Sequence, residues 1–422
     1  MKQYSSYIDS GIQWLNEIPA HWKILPGRAL FTENKEKNDG GEHQVLSLSY
    51  GSIIIKMNVN EGLIPENYSS YQYIRPGYII VRCTDLQNDK VSLRTSISEY
   101  EGIITGAYLG LIPKPICRSK FIHYLLRAWD CSKELYRYGS GLRQSLSWND
   151  FKYVLLPIPT PEEQEAIVAY LDAATAKIDE AIAQQQRMID LLYERKQIII
   201  NDAVSSGLGN EFSALTSFEG RESITIPKGW RLLPLKAKIS FVNGYAFDSE
   251  SFMKEGEVPV IRISNISDGT VSYDDIVYVD RDKGLEPFLT KGGDLLIAMS
   301  GATTGKVGFD IDGGSYINQR VGIIRSSCQK WVYYWLMTSF FKEYVYLSAL
   351  GSAQPNISCS GIKNFRILYP EDGNYSNIVD RLDVICQEID KALGAFQHQI
   401  DLLQERKQII INDVVTGKVR IV

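Results

Sequence analysis

Residues 189–202 read IDLLYERKQIIIND and residues 400–413 read IDLLQERKQIIIND, thirteen identities in fourteen positions at an offset of 211. Chance does not produce such a match, and self-similarity at this period defines the architecture before any residue-level reading. The repeat also has an opening. Ile18 to Ala29 reads IPAHWKILPGRA and Ile226 to Ala237 reads IPKGWRLLPLKA, an offset of 208. The shared pattern is I-P-x-x-W-[KR]-[IL]-L-P-x-[RK]-A. Weaker echoes lie between: PGYIIVR (76–82) with GGDLLIA (292–298), FIHYLLRAW (121–129) with WVYYWLMTS (331–339), and GSGLRQSLS (139–147) with GSAQPNIS (351–358). Each Gly/Ser loop is followed by a short apolar strand and proline, VLLPIPTP (154–161) and FRILYP (365–370). The chain is therefore one unit of about 200 residues used twice.

The near-identical segments belong to long helices. In the first half the stripe Val168, Leu171, Thr175, Ile178, Ile182, Gln185, Ile189, Leu192, Lys196, Ile199, Ala203 alternates steps of three and four. The second half repeats it as Val379, Leu382, Cys386, Ile389, Leu393, Phe396, Ile400, Leu403, Lys407, Ile410, Val414. Such a heptad stripe predicts a coiled-coil seam. TPEEQ (160–164) supplies a proline at the first turn and acidic residues near the positive end of the helix dipole. SSG (205–207) and TGK (416–418) mark the stops. A single amphipathic helix packed on its own domain is the plainer alternative, but two matched stripes favour pairing with each other. At 1.5 Å per residue, 40-odd residues span about 60 Å, a spacer rather than a domain helix. The spacing leaves parallel and antiparallel pairing open.

The expected division is a first globular domain at 1–158, a spacer helix at 159–206, a second globular domain at 207–371, a second spacer helix at 372–416 and a tail at 417–422. Both globular parts read as mixed α/β. VLSLSYGSIII (45–55), YIIVRC (78–83) and ITGAYLGLI (104–112) read as strands in the first. VPVIRIS (258–264), DLLIAMS (294–300) and INQRVGIIR (317–325) do so in the second. The middle parts of the halves differ while their edges match, which points to one framework with two different faces. Trp331 to Phe341 reads as one buried helix, too short to cross a membrane. The N-terminal MKQYSSYIDSGIQW lacks the apolar region of a secretion signal. Six scattered cysteines without a CxxC pair argue against zinc or a disulfide framework and for a reducing cytoplasm.

Net charge is −5, which by itself disfavours nucleic acid. Its distribution changes that reading. Residues 1–158 carry +3 and 209–369 carry 0, whereas the helical segments 159–208 and 370–422 carry −5 and −3. The acidic excess sits on the spacers, leaving room for a basic face on either domain.

No catalytic constellation is present. SGATTGKVG (300–308) has three residues between its glycines and Val307 after Lys306, so it fails the phosphate-loop pattern and reads as a strand-to-strand turn with a basic tip. No [DNS]-P-P-[YFW] tetrad for amino-methylation occurs, and four dispersed histidines permit no inferred triad. No cofactor or metal is expected, and no catalytic residue is assigned.

Together the I-P-x-x-W openings (18–22 and 226–230), PIPTPEEQEAIVAYLD (157–172), the IDLL-x-ERKQIIIND ends and the GDLL…SGATTGKVG stretch (293–308) resemble the specificity subunit of type I restriction-modification systems. The likeness covers essentially the whole chain. It implies two target-recognition domains, each reading half of a bipartite asymmetric site in double-stranded DNA. It implies that the helices pack antiparallel, and that two copies of an adenine methyltransferase subunit dock on this chain. It further implies a translocating nuclease subunit that joins for restriction. The second helix departs from the pattern: YPEDGNYSNIVDRLD (369–383) lacks the Glu163–Gln164 pair. The main alternative is a coiled-coil scaffold whose globular ends bind proteins.

Loops carry base- and phosphate-reading groups best. In the first domain the candidates are Arg143, Gln144 and Ser145 of the Gly/Ser loop, then Arg75, Arg82, Lys90 and Arg94. In the second they are Gln354 and Asn356 of the equivalent loop, Thr303, Thr304 and Lys306 at the turn tip, and Asn318, Gln319 and Arg320. Arg, Asn and Gln suit base edges. For each, a solvated or turn-stabilising side chain is the commoner reading.

Overall fold

The computed structural model describes residues 3–56, 68–84, 93–137, 145–207, 212–218, 221–349, 355–371, 373 and 375–421, with the backbone alone at 212–218 and 221–225. It divides into two compact units. The first comprises residues 1–185 and 398–422, the second residues 186–397. Both long helices, Pro161–Ser206 and Tyr375–Val415, contribute to both units.

The first unit is closed by an antiparallel pair. Lys23–Pro26, which follows the I-P-x-x-W opening, pairs with Leu155–Ile158, which feeds the long helix. Next to it lies a four-stranded antiparallel sheet in the order Phe31–Glu33, Leu109–Pro113, Ile79–Val81, Thr95–Ile97. A second layer holds the hairpin Leu46–Ser49/Ser52–Ile55 and the pair Gln72–Ile74/Gly102–Ile104, linked by a parallel bridge from Val45 to Ile103. The segment 45–55, expected as one strand, is thus a hairpin. Tyr50 and Gly51 turn it with φ of +47° and +76°, a two-residue turn whose twist suits the flanking strands.

The second unit repeats this plan. Trp230–Pro234 pairs with Arg366–Pro370. Its larger sheet runs Ser240–Asn243, Val321–Arg325, Asp294–Ala298, Val307–Asp310, the same order as the four strands of the first unit, and then adds Gly269–Val271 and Ile266–Ser267. Its second layer runs Val277–Val279, Val258–Ile261, Gly313–Ile317, Leu289–Lys291, again with a parallel link, Val260 to Tyr316.

In both units one helix covers the larger sheet. In Ser119–Cys131 the apolar residues Phe121, Ile122, Leu125, Leu126 and Trp129 fall on one face, and all are fully buried. They pack against Ile79, Val81 and Leu111 of the sheet and against Ile167 and Leu171 of the first long helix. In the second unit Trp331, Val332, Trp335 and Leu336 play this part against Leu295, Ile297 and Ile324, with Val379 and Leu382 of the second long helix behind. The indoles of Trp331 and Trp335 both donate to the carbonyl of Leu368 at 3.1 Å. The expected single helix over 331–341 is two helices, Gln329–Leu336 and Ser339–Ala349. Thr338 separates them, its hydroxyl donating back to the Trp335 carbonyl at 2.6 Å and accepting from the Phe341 N–H at 3.2 Å.

A polar clamp recurs at matching positions. Lys120 Nζ and the Tyr124 hydroxyl both reach Asp172 of the first long helix at 2.8 Å. Lys330 and the Tyr334 hydroxyl grip Asp383 of the second in the same manner, the tyrosine at 2.6 Å. Burial pushes the Tyr124 phenol up to about 12 and the Tyr334 phenol up as well, so both stay protonated donors.

The long helices run antiparallel within each unit. In the first, Ile167 and Leu171 near one helix start share a core with Ile411, Val414 and Val415 near the other end, and Lys407 bonds Asp179 at 2.6 Å. In the second, Ile200 and Val204 meet Ile378 and Leu382, and Lys196 bonds Asp390 at 2.6 Å. Every position of the two predicted stripes is buried or half-buried. The lysines at seam positions reach aspartates of the facing helix, a device that fixes register. The first turns differ. Gln164 accepts from the Arg118 N–H at 2.8 Å and donates to the Ile116 and Pro159 carbonyls, whereas its counterpart Tyr375 packs its ring against Trp331 and Tyr369.

Candidate nucleic-acid interface

In the second unit the strand Asp294–Ala298 ends where three of the predicted loops meet. The Met299 N–H donates to the Arg320 carbonyl at 2.9 Å, and the Met299 carbonyl accepts from Ile357 N–H at 2.9 Å. The Gly301 N–H and the Thr304 hydroxyl both donate to the Pro355 carbonyl at 3.0 Å. Gly301 and Gly305 have φ of +76° and +85°, the left-handed conformation that this tight turn requires and that glycine adopts without steric penalty. The fold thus gathers 300–306, 318–320 and 355–356 at one sheet end. Lys306, Gln319, Arg320 and Asn356 are exposed there, and Lys306 and Arg320 make no ion pair among the described residues. A cation, an amide pair and a guanidinium on adjoining loops can contact phosphates and base edges together.

The neighbouring candidates act differently. Thr303 and Thr304 are half-buried, and their hydroxyls donate to the carbonyls of Ile263 and Gly301 at 3.0 and 2.6 Å. They hold the turn. Asn318 accepts from the Gln319 N–H at 2.7 Å, shaping the loop that presents Gln319 and Arg320.

The first unit shows the same junction. Leu146 N–H donates to the Cys83 carbonyl at 3.0 Å, the equivalent of Ile357 to Met299. This places exposed Ser145 where Asn356 lies in the other unit. Arg82 is half-buried and its N–H donates to the Arg94 carbonyl at 2.8 Å. Arg94 itself is a correction to the sequence reading. It is fully buried, its guanidinium donating to the Thr84 carbonyl at 2.8 Å and to the Tyr136 hydroxyl at 3.2 Å. A buried charge must be hydrogen-bonded, and here it holds the backbone carbonyl of Thr84. Arg75 is half-exposed but already binds Glu36 with both guanidinium nitrogens, at 2.5 and 2.8 Å. That bidentate pair matches its charge without DNA. Arg143, Gln144, Lys90 and Gln354 lie outside the described residues.

Sequence reasoning missed one loop. The turn Thr105–Tyr108 joins the same two strands as the turn holding Asn318, and closes with the same N–H to carbonyl bond, Tyr108 to Thr105 at 3.3 Å against Val321 to Asn318 at 2.8 Å. Its small residues gave no chemical signal, and only the shared topology equates the two. Among the described residues no His, Cys, Asp and Glu cluster could hold a metal, and no helix is long and apolar enough to cross a membrane.

The model of the type I restriction modification DNA specificity domain matches residues 227–396. The specificity subunit of the type I restriction enzyme MjaVIII of Methanocaldococcus jannaschii is 24% identical over 386 residues, 86% of this chain and 87% of that protein. The EcoKI specificity subunit of Escherichia coli K12 is 22% identical over 209 residues, 46% of this chain and 44% of that protein. A solved chain from work on complex assembly and conformational transition of the type I R-M system has the same fold, with a TM-score of 0.68 at 16% identity, over 95% of this chain and 99% of that one. A duplicated α/β unit on antiparallel helices, a specificity-domain match over 227–396 and a specificity subunit aligned along most of its length agree: the chain is similar throughout to the specificity subunits of type I restriction-modification systems and shares their fold.

Proposed function

We propose that this non-catalytic subunit reads a bipartite, asymmetric site in double-stranded DNA, one half-site per unit. The observation that carries this is the duplicated loop junction. Two units share strand order and the Cys83–Leu146 or Met299–Ile357 bond, yet present different side chains there. One framework with two faces is what two unlike half-sites require. In the second unit Gln319, Arg320 and Asn356 read bases and Lys306 binds phosphate, while Ser145 and Arg82 serve the first. The paired helices act as the spacer between half-sites.

Catalysis belongs to partners: two methyltransferase subunits, with a translocating nuclease subunit for restriction, all in the cytoplasm. Twofold recruitment is supported by a duplicated outward stripe. Leu191 and Ile198 are 58% and 51% exposed on the first helix, and Leu402 and Ile409, at the same offset of 211, are 49% and 50% exposed on the second. An apolar pair one heptad apart on a helix suits a partner helix.

Base-resolution methylation mapping tests the proposal in cells expressing the partner methyltransferase with and without this chain. A methylated two-part motif that needs this chain is the expected result. A stable complex with no new motif would instead favour the protein-binding scaffold.

A further inference from the structure

The repeat motif I-P-x-x-W-[KR]-[IL]-L-P-x-[RK]-A carries at its penultimate position a basic residue, Arg28 or Lys236, that the loop junction does not use. In the fold each lies beside a second cation from the turn after the Gly/Ser loop. The Arg28 N–H donates to the Lys152 carbonyl at 2.9 Å, and both side chains bracket the exposed ring of Tyr153, at 5.5 and 5.1 Å from its centroid. Lys114 joins them, its Nζ donating to the Arg28 carbonyl at 2.7 Å. In the second unit Leu235 N–H donates to the Phe365 carbonyl at 2.7 Å, and Lys236 Nζ donates to Asn364 Oδ1 at 3.3 Å, next to Lys363. Lys238 lies 3.5 Å over the Tyr369 ring.

These six cations differ from those that the fold holds in ion pairs. Arg75, Arg118, Lys120, Arg231, Arg281, Arg325 and Lys330 each pair with a carboxylate. None of the six does so among the described residues. They contact rings, amides and carbonyls instead, which orient a cation without neutralising it. Two uncompensated cations at matching positions in each unit, with a third nearby in each, form in a chain of net charge −5 a local field suited to a polyanion.

We infer that Arg28 and Lys152 in one unit, helped by Lys114, and their counterparts Lys236 and Lys363 in the other, helped by Lys238, are grips for the phosphate backbone of duplex DNA. They bind it without regard to sequence and so hold the loops over each half-site. This rests on the DNA-reading assignment above.

The test is the salt dependence of duplex binding by the full chain, on target and unrelated DNA. Each neutralised phosphate contributes about 0.9 to the slope of log affinity against log salt. The double variants R28Q/K152Q and K236Q/K363Q are each expected to lower that slope by about two. They should weaken both DNAs by the same factor and leave the methylated motif unchanged. The charge-keeping pairs R28K/K152R and K236R/K363R should retain the slope, which separates charge from folding. An unchanged slope in both glutamine variants, with intact folding by circular dichroism, overturns the grips while leaving sequence reading intact. Loss of affinity for the target alone would overturn them too, by making these residues base readers. Absence of salt-dependent binding by the unaltered chain would sink both readings.

Discussion

The two units part company in the connection between two strands of the second layer. In the first, the second-layer hairpin closes through two residues, Tyr50 and Gly51, between strands 46–49 and 52–55. In the second, the equivalent strands Val258–Ile261 and Val277–Val279 are joined by residues 262–276. That excursion adds the short strands Ile266–Ser267 and Gly269–Val271 to the larger sheet and passes under the turn at 300–306, where the Ile263 carbonyl receives the Thr303 hydroxyl. Its anchors are buried: Asn265 bonds back to the Arg262 N–H at 3.0 Å, and Ile266 sits in a core with Ile261, Leu296 and Ile317. The strands and helix that carry the core are held in common, while the connection nearest the reading end is free to change. Scaffold elements are constrained by packing, and loops on them are not, so divergence collects at the end that carries the proposed recognition loops.

If the shared framework is truly equivalent, damage to it should be symmetric. Phe121 and Trp331, at matching positions of the repeat, are both fully buried in the helix that covers the larger sheet. Phe121→Ala and Trp331→Ala should each destabilise their own unit by about 3–5 kcal/mol, seen as an earlier transition for that unit in a thermal melt. A large effect of one and none of the other would break the equivalence. The Lys–Tyr–Asp clamp gives a finer comparison. Asp172→Ala and Asp383→Ala should cost about 1 kcal/mol each, since both aspartates are partly exposed, and calorimetry should find them equal within error. The smallest expected effect lies at the point of divergence. Tyr50 is 88% exposed and holds a φ of +47° that asparagine tolerates better. Tyr50→Asn should stabilise the first unit by under about 1 kcal/mol in denaturant titration. A loss of stability would show that the ring packs in a way its exposure denies.

Much of this was legible in the sequence because repetition needs no propensity scale. The offset of 211 located both long helices, and the three-four stripe identified residues that the fold covers, down to Lys196 and Lys407. Helix direction was not legible, because either orientation buries the same stripe. It follows from contacts such as Lys407 to Asp179. The segment 45–55 read as one strand because Tyr50 is an unusual residue for a left-handed turn. Arg94 read as a surface cation because sequence does not reveal that Thr84, Tyr136 and Asp130 surround it with hydrogen-bonding groups. The loops were chosen from composition, and the structure adds what composition lacks: which of them share a strand end.

The most direct test of the account changes one reading face and asks which half of the target responds. Methylation maps should be compared for the intact chain and for the double variant Gln319→Ala/Arg320→Ala, each with the partner methyltransferase. Loss of a bidentate base contact is worth about 1–3 kcal/mol of discrimination. The account predicts that one half-site becomes degenerate while the other half-site and the spacer stay as they were. Relaxation of both half-sites together, or an unchanged motif, would contradict it.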